Sequence, residues 1–84
     1  MENWKNNNNR LEKEFSFSNF KAALSFVNKV AEIAENLNHH PDIKLYNYKN
    51  VCISSTTHDL GNVITKKDEI LAKEIDKLIL NLAD

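Results

Sequence analysis

The single proline of the chain, Pro41, divides the sequence because it fits neither a helix interior nor a central strand. It also restricts the residue before it, so an upstream helix must end earlier. Apolar residues in 19–38 are spaced by three and four, which is typical of an amphipathic helix of about five turns. The predicted stripe consists of Phe20, Leu24, Val27, Ala31, Ala34 and Asn38, with Ala23, Val30 and Leu37 beside it. We expect Ser18 to be the N-cap of this helix.

A pair of strands is predicted on each side of the helix. The first 17 residues are predicted to form a β-hairpin around the asparagines 6–9, since Leu11, Lys13, Phe15 and Phe17 alternate onto one face. Beyond Pro41, β-branched and aromatic residues predict a strand over 43–48, a tight turn at 49–50 and a strand over 51–57.

A second helix is predicted near the end of the chain. It follows the loop that contains the single glycine, and Thr65 to Asp68 matches a capping box. Its apolar stripe consists of Ile70, Leu71, Ile75, Leu78, Ile79 and Leu82. The order β-β-α-β-β-α predicts an α+β fold, a four-stranded antiparallel sheet with helices packed on one face, because this arrangement buries both stripes.

Size and composition fit one small domain over residues 1–84 and argue against several classes of protein. A chain of 84 residues buries only about 60 to 65% of its unfolded surface, so association with copies of itself would help. Eleven basic and twelve acidic residues give a net charge of −1, which is unlike a nucleic-acid binder. A single cysteine rules out an internal disulfide, and no apolar stretch reaches membrane-spanning length. We expect a cytoplasmic protein with neither nucleic-acid nor membrane partners.

The three histidines lie where regular elements are predicted to end. His39 and His40 stand between the first helix and Pro41, and His58 closes the last strand. Side chains at the ends of different elements can converge on one pocket. Because imidazole titrates near neutrality, paired histidines can supply both a proton donor and a proton acceptor. The competing interpretation is three ordinary solvated side chains.

Other sites fit the sequence less well. Four possible metal ligands are present: His39, His40, His58 and Cys52. Adjacent histidine side chains diverge, however, and the Cys-x-x-Cys or His-x-x-x-His spacing of zinc sites is missing. No nucleophile elbow accompanies the serines. Purely structural roles are expected for Cys52, for Asp68 as a helix cap, and for Tyr46 and Tyr48, which would share a strand face.

The spacing of these residues resembles that of the pterin-4a-carbinolamine dehydratases, also called 4a-hydroxytetrahydrobiopterin dehydratases. The pattern is Glu35, three residues, His39-His40-Pro41, six residues, Tyr48, nine residues, His58, nine residues and Asp68. "TTHDLG" and "KKDEILAKEID" agree as well, and the resemblance extends from Trp4 to Leu78. It implies the α+β fold described above and loss of water from a 4a-hydroxytetrahydropterin, in tetrahydropterin recycling. It also implies that neither a metal nor a bound redox cofactor is needed.

The resemblance implies a set of site residues and an assembly. His40 and His58 correspond to the acid–base pair, and His39 binds or orients the pterin. Substrate-binding positions are Asn38, His39, His40, Thr56, Thr57, His58 and Asp59. The expected assembly is a homodimer or homotetramer. Two alternatives remain, a related pterin reaction such as a molybdopterin-linked step, and a non-catalytic dimerisation cofactor.

Three positions depart from the family pattern. Only three residues precede Trp4, where the family has a further helix, so we expect that helix to be absent or truncated and a dimer to be possible. Ile43 stands where the family often has a tryptophan, which affects how the pterin ring is covered. Asn62 replaces a second glycine beside His58 and is expected to stiffen that loop.

Overall fold

The computed structural model describes residues 3–82 and has the predicted α+β architecture. Its elements are β1 (Lys5–Asn6), β2 (Leu11–Ser16), α1 (Phe20–Leu37), β3 (Asp42–Tyr46), β4 (Asn50–Ser55) and α2 (Lys66–Leu82), with one 3₁₀ turn at His58–Leu60. The four strands form one antiparallel sheet in the order β1-β2-β4-β3. The predicted element order and sheet are therefore confirmed.

Both helices pack on one face of the sheet. The register pairs Phe15 with Val51 and Lys13 with Ile53, so the helix-facing positions of β2 and β4 lie side by side. The buried hydrophobic residues are Trp4, Leu11, Phe15, Ala23, Phe26, Val30, Ala34, Val51, Ile53, Leu71, Ala72 and Ile75. The opposite face carries polar side chains, among them Glu12, Glu14 and Lys44. This one-sided core is what an antiparallel sheet with alternating residues produces.

The buried stripe of α1 is rotated from the predicted one. Its buried residues are Ala23, Phe26, Val30 and Ala34, whereas Phe20 and Leu24 are 51% and 40% exposed. Phe26, which the predicted stripe omitted, packs against Phe15 and Phe17 with ring centroids 4.8 and 5.0 Å apart. Burial of this large aromatic ring sets the rotation of the helix.

The N-cap of α1 is Asn19, so the prediction of Ser18 was wrong by one residue. The backbone of Asn19 is extended, and its side-chain oxygen accepts a hydrogen bond from the Ala22 N–H at 2.8 Å. Asparagine is at least as good an N-cap as serine. The sequence "SN" therefore offers two caps, and the rotation of the helix selects the second.

The turn between β3 and β4 lies two residues earlier than predicted. β3 ends at Tyr46 and β4 begins at Asn50, with Asn47 and Tyr48 in the left-handed region at φ 49° and 54°. Asparagine tolerates this region, which places the turn at Asn47. Tyr48 is consequently an exposed turn residue and does not share a strand face with Tyr46.

The predicted stripe of α2 is confirmed in its central part. Leu71 and Ile75 are fully buried, as is Ala72, which the stripe did not include. Ile70 was predicted to belong to the buried stripe but is 45% exposed. The side chain of Leu82 is not among those that the structure describes. Within residues 3–82, neither helix is long and apolar enough to cross a membrane.

Candidate active site

The end of α1 sets the direction of the paired histidines. Asn38 has left-handed geometry, with φ 53° and ψ 43°, and its N–H caps the carbonyls of Ala34 and Glu35. The His39 N–H also reaches back to the Ala34 carbonyl at 3.0 Å. A left-handed asparagine at this position is a common way to end a helix. The helix therefore closes before Pro41 and leaves His39 and His40 in a short link to β3.

The third histidine follows the buried end of β4. Ser55 and Thr57 occupy alternate positions in line with Ile53, so their hydroxyls point to the helix side of the sheet. There they meet Asp68 in the first turn of α2. His58 comes next and begins the 3₁₀ turn that Gly61 ends at φ 83°.

Asp68 is a fully buried carboxylate that joins three segments of the chain. It accepts hydrogen bonds from His39 Nε2 at 2.6 Å, Ser55 Oγ at 2.5 Å, Thr57 Oγ1 at 2.8 Å and the Thr65 N–H at 2.8 Å. Burial alone raises the pKa of Asp68, but these hydrogen bonds, that of His39 foremost, outweigh it and lower the pKa to about 2. The carboxylate is thus ionised near neutral pH and holds the His39 ring in place.

The same hydrogen bonds define the tautomer of His39. A carboxylate accepts only, so Nε2 carries the proton and Nδ1 of the neutral ring is left as an acceptor. Its side chain is only 11% exposed. His39 is consequently a rigid imidazole with one nitrogen available to a ligand.

His40 and His58 are more exposed and each is held by one neighbour. His40 Nε2 donates to Glu35 at 2.5 Å, and His58 Nδ1 donates to the side-chain oxygen of Asn62 at 2.8 Å. In the neutral rings these contacts leave His40 Nδ1 and His58 Nε2 without a proton. The site therefore contains three imidazoles that each keep one nitrogen free in the neutral state.

All seven predicted site residues line one groove. It has a volume of about 220 Å³ and is lined by Asn38, His39, His40, Thr56, Thr57, His58, Asp59 and Lys67. The histidines from the two chain breaks are therefore brought together, as the sequence predicts. Lys67 is the one additional residue, and no sequence pattern singled it out.

The rival metal site is not assembled. Cys52 lies apart from the histidines and lines a separate groove together with Glu12 and Glu14. Burial raises the pKa of its thiol, and the two glutamates add to the effect, which keeps it protonated and unreactive. Among residues 3–82, no group of three or more His, Cys, Asp or Glu side chains is arranged to hold a metal ion.

Asp68 does more than the helix cap predicted from the sequence. The capping part is present, since Asp68 accepts from the Thr65 N–H and Thr65 Oγ1 accepts from the Lys67 N–H. Its contacts with Ser55 and His39 come from residues 13 and 29 positions away. The only sequence signal for these long-range contacts is the pair of hydroxyl residues, Ser55 and Thr57, at alternate positions that continue the core-facing side of β4.

Comparison with known proteins places the chain in a family. The family model described as pterin 4 alpha carbinolamine dehydratase matches residues 1–78. This chain belongs to the pterin-4α-carbinolamine dehydratase family. A relative from Sulfurisphaera tokodaii, named provisionally as such a dehydratase, is 48% identical over 79 residues, which are 94% of this chain and 83% of the relative. One from Prochlorococcus marinus (strain MIT 9312), with the same provisional name, is 48% identical over 75 residues, which are 89% of this chain and 76% of the relative.

Two solved structures have the same fold. A transcriptional coactivator/pterin dehydratase from Brucella melitensis superposes with a TM-score of 0.80 at 26% identity, over 92% of this chain and 82% of that one. A pterin dehydratase-like protein identified as a RuBisCO assembly factor gives a TM-score of 0.72 at 23% identity, over 89% of this chain and 87% of that one. The second likeness concerns the fold alone.

Proposed function

We propose that this member of the dehydratase family removes water from a 4a-hydroxytetrahydropterin, giving the quinonoid dihydropterin, in tetrahydropterin recycling. The C4a–O bond breaks and the oxygen leaves as water after it receives a proton. The N5–H proton is lost to a base, and its electron pair forms the C4a=N5 double bond. The reaction needs one proton donor and one proton acceptor and consumes no net protons.

In this proposal His40 and His58 exchange protons with the substrate, and His39 orients it. The exposed rings of His40 and His58 can be reprotonated from solvent between turnovers. His39 suits the orienting role because the buried Asp68 carboxylate fixes its ring and leaves Nδ1 to accept a hydrogen bond from the pterin. Each acid or base role is typically worth about 10²- to 10⁴-fold in rate.

The observation that carries the proposal is the convergence of three imidazoles from two separate chain breaks on one groove. Each imidazole is held through one nitrogen by a different acceptor, so the free nitrogens have defined places. Ordinary solvated histidines would not need three separate anchors. Once one of the two exposed rings is protonated, the groove contains a proton donor and a proton acceptor in fixed positions, as the dehydration needs.

The proposal is tested by dehydration of freshly generated 4a-hydroxytetrahydropterin in a stopped-flow instrument. Wild-type protein is expected to accelerate the step over buffer, and His40→Ala and His58→Ala each to lower kcat by about 100-fold. His39→Asn is expected to raise KM more than it lowers kcat, because it removes an orienting contact. Lys66→Gln, which changes an exposed residue outside the groove lining, serves as the control. Wild-type kinetics equal to those of buffer would reject the proposal.

A further inference from the structure

Most of the hydrogen-bonding capacity in the groove is already used within the protein. The Thr56 hydroxyl donates to the Asn9 carbonyl at 2.9 Å, and the Thr57 hydroxyl donates to Asp68. The N–H groups of the three neutral imidazoles are held by Asp68, Glu35 and Asn62. A ligand therefore meets few unused donors here.

Two opposite charges in the groove remain unpaired within residues 3–82. Asp59 and Lys67 both line it and both are exposed, yet neither forms a side-chain hydrogen bond or an ion pair with the other or with a third group. Asp59 offers acceptors only, and Lys67 offers donors only. The remaining lining side chain is the Asn38 amide, which offers both a donor and an acceptor and so discriminates little between ligands.

The position of Lys67 is not explained by stability. It lies in the first turn of α2, where the positive end of the helix dipole disfavours a cation. The buried carboxylate next to it, Asp68, is already satisfied by four other donors. A lysine that makes no ion pair at this end of a helix and faces a ligand groove is better explained by a contact with the ligand.

An unused carboxylate and an unused ammonium in one groove complement the pyrimidinone edge of a pterin. That edge presents the 2-amino group and N3–H as adjacent donors and then the 4-oxo oxygen as an acceptor. We propose that Lys67 determines specificity for the 4-oxo group by donating a hydrogen bond to its oxygen. Asp59 accepts hydrogen bonds from the two neighbouring donors, the 2-amino group and N3–H. The two charges cancel, which suits a neutral ring. This inference rests on the proposed function, since it assigns the orientation of the pterin in the same groove.

The inference is tested by isothermal titration calorimetry with stable oxidised pteridines. Pterin carries 2-amino and 4-oxo groups, whereas 2,4-diaminopteridine has a 4-amino donor in place of the 4-oxo acceptor and an unprotonated N3 in place of N3–H. Wild-type protein is expected to bind pterin at least about 10-fold more tightly than 2,4-diaminopteridine, since the 4-amino group of the latter is a donor and cannot accept a hydrogen bond from the ammonium. In Lys67→Gln the amide oxygen can accept from the 4-amino group, so the preference is expected to fall at least about 5-fold, and any preference that remains reflects the contact of Asp59 with N3–H.

Two matched variants separate this contact from a general effect of charge or folding. Lys66→Gln removes the neighbouring charge from the same helical turn but not from the groove lining, and is expected to keep the full preference. Asp59→Asn is expected to reduce the preference for pterin over 2,4-dioxopteridine, which differs at the 2-position and its neighbouring ring nitrogen. Far-UV circular dichroism checks that each variant is folded.

The outcomes distinguish this inference from the proposed function. Wild-type protein that dehydrates the carbinolamine but binds both pteridines equally would overturn the role of Lys67 alone. An unchanged 4-oxo preference in Lys67→Gln, or an equal loss in Lys66→Gln, would do the same. Wild-type protein that neither binds pterin nor accelerates dehydration would overturn both.

Discussion

At the scale of single residues, the sequence predicts which side chains line the groove but not what holds them. His39, His40 and His58 were expected together because chain breaks bring side chains from different elements to one place. The anchoring role of Asp68 was not expected, because its local match to a capping box already explained it. Lys67 was missed since a lysine at the start of a helix carries no pattern of its own. Long-range hydrogen bonds to a buried carboxylate depend on tertiary packing.

The pKa of Asp68 predicts a specific dependence of stability on acid. Its folded-state pKa of about 2 lies below the ordinary value of 3.8, so ionised Asp68 stabilises the fold above about pH 4. This contribution of roughly 2 kcal/mol is lost as the pH falls from about 4 to 2. Asp68→Asn is expected to lower the free energy of unfolding at pH 7 and to lack this part of the pH dependence.

Urea denaturation at a series of pH values measures both effects. Glu69→Gln, which changes the exposed carboxyl beside Asp68, is the control and is expected to keep the wild-type profile. If Asp68→Asn and wild type lost stability in parallel between pH 4 and 2, the hydrogen-bonded carboxylate would not be the source of the acid sensitivity.

At the scale of elements, the sequence predicted which helices and strands form and in what order. It did not predict the rotation of α1 or the exact ends of the elements. The spacing of apolar residues predicted both helices, alternation predicted β2 with β1 as its hairpin partner, and β-branched and aromatic residues predicted β3 and β4. The rotation of α1 depended on which aromatic ring the core accepts, and Phe26 has its neighbours in the β2 segment rather than in its own helix. The β3–β4 turn moved to Asn47 because left-handed backbone favours asparagine, a preference that the predicted turn did not use.

The corrected N-cap of α1 gives a prediction with an internal control. Asn19→Ala is expected to destabilise the protein by about 1 kcal/mol, because the Ala22 N–H loses its acceptor. Ser18→Ala is expected to change the free energy of unfolding by less than about 0.5 kcal/mol. Urea denaturation of both variants decides between the two caps, and a larger effect at Ser18 would restore the original assignment.

At the scale of the whole molecule, the fold is set by one sheet face, and the apolar residues left outside it favour self-association. Phe20 and Leu24 lie one turn apart on α1 and are about half exposed, so they form a small apolar patch on the helix surface. The expected homodimer or homotetramer would cover them. The length of the chain indicates only that its core gives marginal stability. The rotation of α1 is what predicts the surface around Phe20 and Leu24 as the contact between copies.

Sedimentation equilibrium tests this expectation. Wild-type protein is expected to have a mass that is a multiple of 9.7 kDa, and Leu24→Glu to shift it toward the monomer. Ser25→Glu places the same charge at a neighbouring exposed position and is expected to leave the assembly intact. A wild-type monomer at all concentrations would contradict the prediction, as would equal effects of the two glutamates.

The most direct measurement is a pair of two-dimensional NMR spectra, one of the histidine rings and one of the backbone amides, recorded with and without a stable oxidised pterin. Assigned signals of His39, His40 and His58 are predicted to shift together with one binding constant, while signals from the Glu12, Glu14 and Cys52 groove stay in place. Unchanged imidazole signals at saturating pterin, or shifts confined to the other groove, would contradict a pterin site built from the three histidines.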